Sequence, residues 1–237
     1  MDLDDLAKFR SLDPQNMISQ INGLPQQLSD AWDLGLSLPL PDWGSGIQRV
    51  VIAGMGGSAI GADLLAAYAA PLCAVPVTVL REYELPLWAG GPQTLVIASS
   101  HSGNTEETLA AFDQAQARGC LGLVVTTGGR LAQLGQDKSI PVWQFAHSGQ
   151  PRAAVGYSFG LLLAALHRLG LLPDPIAEVR ETLHALRNQQ VNIMPEVPVP
   201  FNPAKRMAGQ LVGRWVAVFA ADSLDPVARR WKGQINE

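Results

Sequence analysis

The sequence predicts an α/β fold in which a central five-stranded parallel sheet is covered by helices on both faces. Strand patterns and helix patterns alternate along the middle of the chain, and each crossover between parallel strands places a helix against the sheet. The strands are expected near 49–54, 76–80, 94–99, 121–126 and 140–144, with helices near 58–69, 104–118 and 129–135. With 237 residues, of which 47% are hydrophobic, the chain can fill such a core.

A separate helical segment at 1–47 precedes the sheet. Asp13, followed by Pro14, is a candidate helix N-cap, and the spacing of the apolar residues predicts one or two amphipathic helices packed on the main domain. Those apolar positions are Met17, Ile18, Ile21, Leu24, Leu28, Trp32 and Leu36.

After the sheet, helix patterns at 153–169 and 176–191 close a domain that spans 48–192. The prolines at 193–203 predict a linker, because proline blocks helix and discourages strand. Beyond it, the sequence predicts a helix over 204–212, a buried strand over 215–220 and a helix that begins at Asp225. One strand between two helices leaves an unpaired edge, so 204–237 is expected to be the start of an incomplete second domain.

A hydroxyl-rich turn follows the third predicted strand. Residues Ser99 to Thr108 read Ser-Ser-His-Ser-Gly-Asn-Thr-Glu-Glu-Thr. Unpaired N–H groups and the positive end of the dipole at a helix start favour an anion, and Ser100, Ser102 and Thr105 add neutral hydroxyl donors. The turn therefore predicts a phosphomonoester site that also uses the backbone of Gly103. Alternatively these residues are only caps and turn formers, which accounts for one or two of the hydroxyls.

A second, glycine-rich turn follows the first predicted strand. It contains Gly56, Gly57 and Ser58, and a helix pattern comes directly after it. In a parallel sheet, ligands bind outside the carboxyl ends of the strands, so both turns are expected to line one crevice.

The glycine-rich turn alone also fits a dinucleotide site. Gly54, Gly56 and Ala59 match the pattern G-x-G-x-x-G/A, and Glu82 lies where an acid that binds a ribose would be. Such a site needs no second cradle of hydroxyl groups, which favours the phosphomonoester interpretation.

The two turns together resemble the sugar isomerase (SIS) domain, and further segments resemble the bifunctional phosphoglucose/phosphomannose isomerases in particular. The resemblance implies a three-layer αβα, flavodoxin-like SIS fold followed by a second SIS domain, so the chain is expected to be a truncated form, a fragment or a decayed relative. The matching segments are Gly54–Ser58, Ser100–Leu109, Pro151–Arg152 with Gly156–Tyr157, Asn202–Lys205 and Arg230–Glu237.

The resemblance also implies roles for individual residues. Ser58 and the three hydroxyls of the second turn would bind the phosphate of a phosphosugar, and Glu237 would be the base that moves a proton. Arg152 would stabilise the charge of an enediolate. From the residues alone, Glu237 could equally be a solvated acid at a helix end and Arg152 a surface arginine. The family's ring-opening histidine has no counterpart in this sequence.

Three functions therefore stay open at this point. The leading one is an aldose-ketose isomerase of hexose 6-phosphates, the second is a catalytically silent module that binds a phosphosugar, and the third is a dinucleotide-binding enzyme. His101 lies inside the phosphate turn and could donate a hydrogen bond to the ligand.

Composition limits the partners that are expected. The net charge of −4 argues against nucleic acid. Cys73 and Cys120 lack the spacing of metal ligands, and no apolar run is long enough to span a bilayer. The sequence thus predicts a cytoplasmic protein with no metal, nucleotide or flavin. The resemblance to SIS isomerases implies that it binds a hexose phosphate and forms a homodimer.

Overall fold

A computed structural model describes residues 2–43 and 46–236 of the chain. It confirms the predicted fold class, since five parallel strands form one sheet in the order β2-β1-β3-β4-β5. This is the flavodoxin-like strand order. The strands are β1 (Arg49–Ala53), β2 (Val77–Leu80), β3 (Thr94–Ser100), β4 (Leu121–Thr126) and β5 (Val142–Gln144).

Helices precede, cover and follow the sheet. They are α1 (Leu6–Leu12), α2 (Met17–Asn22), α3 (Leu24–Ser37), α4 (Gly56–Ala69), α5 (Glu106–Ala117), α6 (Gly129–Asp137), α7 (Val155–Arg168), α8 (Ile176–Ile193), α9 (Pro203–Leu211) and α10 (Asp225–Asn236). Short 3-10 helices lie at Pro151–Ala153, Val199–Phe201 and Asp222–Leu224.

The strands bury both of their faces, which makes the fold three-layered. Val50 and Ile52 of β1 face a core shared with α3, α4 and α7, whereas Val51 and Ala53 face the side that α5 covers. The same alternation continues in β3 and β4, where α5 and α6 cover the second face. Because the side chains of a strand alternate with period two, strands buried on both sides are continuously apolar.

The described part of the N-terminal segment has three α-helices, α1 to α3, rather than the one or two expected. The predicted N-cap at Asp13 is wrong, because α2 begins at Met17 with Asn16 as its N-cap residue. The Asp13 carboxylate still accepts hydrogen bonds from the backbone N–H groups of Met17 (2.7 Å) and Ile18 (2.9 Å). Lys205 ties this segment to α9, because its buried Nζ donates to Asp4 Oδ1 (2.9 Å) and to the Pro195 carbonyl (2.6 Å). The same bond lowers the pKa of Asp4.

The predicted strand at 215–220 is wrong. This stretch has no regular secondary structure, and its large side chains Trp215 and Phe219 are more than nine-tenths exposed. A strand forms only when a neighbour pairs with it, and no strand of the described ranges runs beside this stretch. The α9 and α10 helices on either side agree with the expected helix patterns.

The described residues contain neither a membrane-spanning helix nor a metal-binding cluster of side chains. Within 2–43 and 46–236, no helix combines the length and hydrophobicity that a membrane span requires. The same ranges contain no group of three or more histidine, cysteine, aspartate or glutamate side chains able to hold a metal ion.

The crossing of α3 and α7 leaves no room for side chains at one glycine. A Cβ on Gly35 would lie 2.5 Å from Ala164 Cβ and 3.3 Å from the ring of Trp143. Trp143 is itself held by a hydrogen bond from its Nε1 to the Pro39 carbonyl (2.8 Å), so it cannot move freely to make space.

We expect the substitution Gly35→Ala to destabilise the protein by about 1–3 kcal/mol, because overpacking forces helices apart. Gly209→Ala is the matched control, since a Cβ at this position in α9 has no neighbour within 4 Å. It should cost nothing and should favour the helix slightly. Urea denaturation of both variants measures the difference, and equal midpoints would contradict this account of the crossing.

Candidate functional site

The two predicted turns meet at the carboxyl edge of the sheet, between the adjacent strands β1 and β3. From β1 the chain passes into α4 on one face, and from β3 it passes into α5 on the other face. This divergence creates the switch point at which doubly wound folds bind ligands. The turns touch directly, because a Cβ on Gly54 would lie only 2.7 Å from the Ser99 carbonyl oxygen.

Hydrogen bonds among hydroxyls shape the turn after β3. Ser100 Oγ accepts from the Gly103 N–H (3.1 Å) and lies 2.8 Å from Thr105 Oγ1. Thr105 occupies the N-cap position of α5 yet makes no capping bond with its side chain. Its hydroxyl therefore faces Ser100 rather than serving the helix, which disfavours the view that it is only a cap.

Gly103 allows this turn to close. Its φ is +66°, and a Cβ there would lie 1.8 Å from the Gly128 carbonyl oxygen. Its own carbonyl accepts from the Leu131 N–H (2.8 Å), which ties the turn to α6. A side chain at this position would push the hydroxyl turn away from the sheet.

Ser58 links the two turns. It is buried in the first turn of α4, and its Oγ accepts from the His101 N–H at 3.2 Å. The N-cap of α4 is Met55, which offers no polar side chain to the first N–H groups of the helix. The Ser58 N–H donates to the Met55 carbonyl (3.1 Å), so the N–H groups of Gly56 and Gly57 are the ones that can bind an anion at this end of α4.

A cavity of about 330 Å³ opens between the two turns. Of the predicted site residues, Ser58, Ser102, Thr105 and Arg152 line it, together with Gly56 and Gly57; its other walls are Met55, His101, Gln150 and Pro151. Ser100 and Gly103 do not line it. Ser100 lies behind the cavity, 3% exposed, where its bonds orient Thr105 and the turn backbone.

Arg152 reaches the site because α4 begins with two glycines, which have no side chains. A Cβ on Gly57 would lie 2.6 Å from the Pro151 carbonyl oxygen, so glycine lets the 3-10 helix at Pro151–Ala153 approach closely. This contact places Arg152 in the cavity wall beside the hydroxyl groups.

A second cavity of about 310 Å³ lies on the other side of Gly56 and Gly57. Arg152 also borders this cavity, which has further cationic side chains that sequence reasoning missed as site residues: Arg81, Arg229, Arg230 and Lys232. Arg230 donates to the Arg152 carbonyl (3.3 Å), and burial lowers its pKa. Arg230 and Lys232 lie in the segment Arg230–Glu237 that resembles the isomerases, and this resemblance is the signal that could have identified these two residues.

Glu237, the predicted base, lies outside the described residues. Gln234 and Asn236, which precede it on α10, border the second cavity. Glu82, which would bind a ribose in a dinucleotide site, is exposed.

Two histidines form a pair beside the hydroxyl turn. His101 Nε2 and His147 Nδ1 lie 2.8 Å apart, so one ring must donate and the other accept. Burial lowers the pKa of His101, and the neighbouring His147 lowers it further. Burial also lowers the pKa of His147. Sequence analysis did not predict the pair, since the two residues are 46 positions apart.

Comparison with known proteins finds phosphoglucose/phosphomannose isomerases among the similar sequences. The chain is 39% identical over 222 residues to the bifunctional phosphoglucose/phosphomannose isomerase of Caldicellulosiruptor bescii. This alignment covers 93% of this chain and 65% of that protein. It is 34% identical to the enzyme of the same name from Thermoplasma acidophilum, over 80% of this chain and 55% of that one. The chain is thus similar to phosphoglucose/phosphomannose isomerases over most of its own length.

The family model described as "Bacterial phospho-glucose isomerase C-terminal SIS domain" matches residues 201–237. The chain spans 65% of the length of the Caldicellulosiruptor bescii protein and 55% of the Thermoplasma acidophilum protein.

Solved structures agree on the fold. A tagatose-6-phosphate ketose/aldose isomerase from Escherichia coli superposes with a TM-score of 0.59 at 16% identity, over 90% of this chain and 61% of that one. A hypothetical protein from Thermus thermophilus gives a TM-score of 0.61 at 22% identity, over 88% and 52% of the two chains. At such low identity these likenesses show the fold alone.

Substitutions at two serines of the turn should distinguish a residue that contacts the ligand from one that stabilises the turn. Ser102→Ala removes an exposed hydroxyl at the cavity, so we expect fructose 6-phosphate to bind roughly 10- to 100-fold more weakly, with stability nearly unchanged. Ser100→Ala removes the hydroxyl that accepts from the Gly103 N–H and partners Thr105 Oγ1, although the Gly103 N–H keeps the Ser100 carbonyl (3.2 Å) as an acceptor. It should cost about 0.5–1.5 kcal/mol of stability. Isothermal titration and urea denaturation measure the two effects. Unchanged binding by the Ser102 variant would refute its contact with phosphate.

The histidine pair should make stability fall in acid. Unfolded imidazoles titrate near 6.5, whereas the folded pair has lowered pKa values, so the unfolded state binds more protons as the pH falls. Stability is therefore complete above about pH 7 and is lost as the pH falls through the folded pKa values. Between about pH 7 and pH 5, the free energy of unfolding should fall less steeply in His147→Gln than in the parent chain, as denaturation at each pH would measure. His184→Gln, on the exposed side of α8, is the control, and identical slopes in all three proteins would contradict the account.

Proposed function

We propose that this chain carries the phosphate site and proton-transfer groups of an aldose-ketose isomerase that interconverts glucose 6-phosphate or mannose 6-phosphate with fructose 6-phosphate. The observation that carries the proposal is the cavity in which two helix starts, several hydroxyls and one arginine meet. The names of the relatives support the hexose phosphates as substrates.

The phosphate would lie between the two turns. A phosphomonoester is largely dianionic near neutral pH and offers three acceptor oxygens. Ser58, Ser102 and Thr105 supply hydroxyl donors, while the starts of α4 and α5 supply N–H groups and the positive ends of two dipoles. Neutral donors suit this role because they hold the anion without requiring a buried cation to be desolvated.

Proton transfer would take place at the sugar carbons that face Arg152. In the open-chain aldose, Glu237 would remove the proton from C2, and the electron pair of the broken C–H bond would move to form the C1–C2 double bond of an enediolate. Return of the proton to C1 then yields the ketose, with a proton exchanged between O1 and O2. The Arg152 guanidinium would stabilise the negative oxygen of the intermediate.

The same intermediate accounts for both aldoses. C2 is planar in the enediolate, so glucose 6-phosphate and mannose 6-phosphate, which differ only at C2, give one common species. A pocket with few discriminating contacts at C2 would then accept both epimers.

We also propose that the protein is a cytoplasmic homodimer. The exposed apolar side chains around Trp215 and Phe219 support a contact with a second subunit, because large exposed apolar patches are typical of protein–protein interfaces.

Replacing the proposed base should abolish turnover but not binding. Glu237→Gln is expected to lower kcat by about 100- to 10 000-fold, the usual contribution of a general base, while fructose 6-phosphate still binds. Glu181→Gln, exposed on α8, is the matched control and should behave as the parent. A coupled isomerase assay and isothermal titration on the same samples give both quantities.

Each other outcome opposes the proposal in a specific way. Binding without turnover by the parent chain would support the silent phosphosugar module instead. Binding of NAD without binding of fructose 6-phosphate would support the dinucleotide enzyme.

A further inference from the structure

Asp63 is a buried acid in a helix that otherwise buries small and apolar side chains. It lies in the middle of α4 and is 6% exposed. Removal of a carboxylate from water costs several kcal/mol unless cations and hydrogen bonds compensate, so a buried aspartate here needs an explanation. Asp63 does not line the phosphate cavity.

Two arginines from distant parts of the chain converge on this carboxylate. Arg81, directly after β2, forms a hydrogen-bonded ion pair with Asp63 Oδ2 and also contacts the Ala59 carbonyl (3.4 Å). Arg229 of α10 approaches the same oxygen with its Nη1 at 3.5 Å. Its Nη2 pairs with Asp225 at 2.6 Å, one turn earlier on α10.

This convergence fastens α10 to α4. Among the hydrogen bonds described for α10, just one other reaches the sheet domain, from Arg230 Nη1 to the Arg152 carbonyl at 3.3 Å. Arg229 is about half exposed, so the buried Asp63 is the fixed end of the link. Loss of the aspartate charge would leave Arg81 and Arg229 facing each other with no anion between them.

The link spans the two functional parts of the site. Asp63 lies seven residues after Gly56, which at 1.5 Å per residue puts it about 10 Å along the helix from the phosphate end. Residues 230–236, which precede Glu237 in the sequence, lie on α10 beyond Arg229. Asp63 therefore belongs to the helix that forms the phosphate site and holds the helix that leads to the base.

We propose that Asp63 is a positioning residue: through Arg229 it holds α10 at a fixed distance from the phosphate site, so that the proton-transfer group meets the sugar carbons. This inference rests on the proposed function and adds a residue that touches neither phosphate nor sugar. A shift of about 1 Å between bound substrate and catalytic group can cost up to 100-fold in rate.

A kinetic experiment separates positioning from binding. Asp63→Asn is expected to lower kcat roughly 10- to 100-fold while KM for fructose 6-phosphate changes little, because the hydroxyl turns are intact. Asp225→Asn makes the same chemical change at the exposed partner of Arg229 and should leave both constants as in the parent. A rise in KM with unchanged kcat, or an equal effect of both substitutions, would overturn the proposal.

Hydrogen exchange tests the inference without any activity. The amides of α10 should exchange at least several-fold faster in Asp63→Asn than in the parent, whereas those of β1 and β3 keep their protection. Arg229→Gln, which leaves the Asp63–Arg81 pair in place, should loosen α10 in the same way and guards against a folding defect of the first variant. Unchanged α10 exchange in Arg229→Gln would refute the link, even if the parent chain proves to have no isomerase activity.

Discussion

The site depends on the divergence of two crossovers at the edge between β1 and β3. Because α4 and α5 leave to opposite faces, their N-termini converge where the two strands end. The first turn then lies so close to the end of β3 that Gly54 has no room for a Cβ, and Gly103 has none because the Gly128 carbonyl lies against it. Packing of backbone against backbone, rather than a charged residue, thus brings the hydroxyl groups together.

The electrostatics of the site are divided between two neighbouring cavities. The hydroxyl cavity relies on neutral donors and helix dipoles, whereas the adjoining cavity gathers arginine and lysine side chains in a chain whose net charge is −4. Gly56, Gly57 and Arg152 border both. This arrangement suits a ligand with a phosphate at one end and a carbon framework that becomes anionic during reaction at the other.

Local patterns predicted the fold and much of the site because both depend on residues close in sequence. The strand expected near 94–99 is observed at Thr94–Ser100, and the hydroxyl turn follows it directly. Contacts between distant segments were not predictable. The His101–His147 pair and the link from Asp63 to Arg229 join residues on different elements, and no spacing in the sequence encodes them.

The wrong strand prediction has a physical reason as well. The apolar, β-branched character of 215–220 indicates a strand, but pairing also needs a neighbouring strand, and none lies beside it in the part of the chain that the structure describes. Ser100, which was expected to contact the phosphate with the other hydroxyls, is 3% exposed and does not line the cavity. Only the three-dimensional structure reveals this position.

A crystal structure of this chain with fructose 6-phosphate tests the central claim most directly. The account predicts that the phosphate lies between the two turns, within hydrogen-bond distance of Ser58, Ser102 and Thr105, with the sugar carbons directed towards Arg152. Phosphate bound instead among Arg81, Arg229 and Arg230, with the hydroxyl cavity empty, would contradict it.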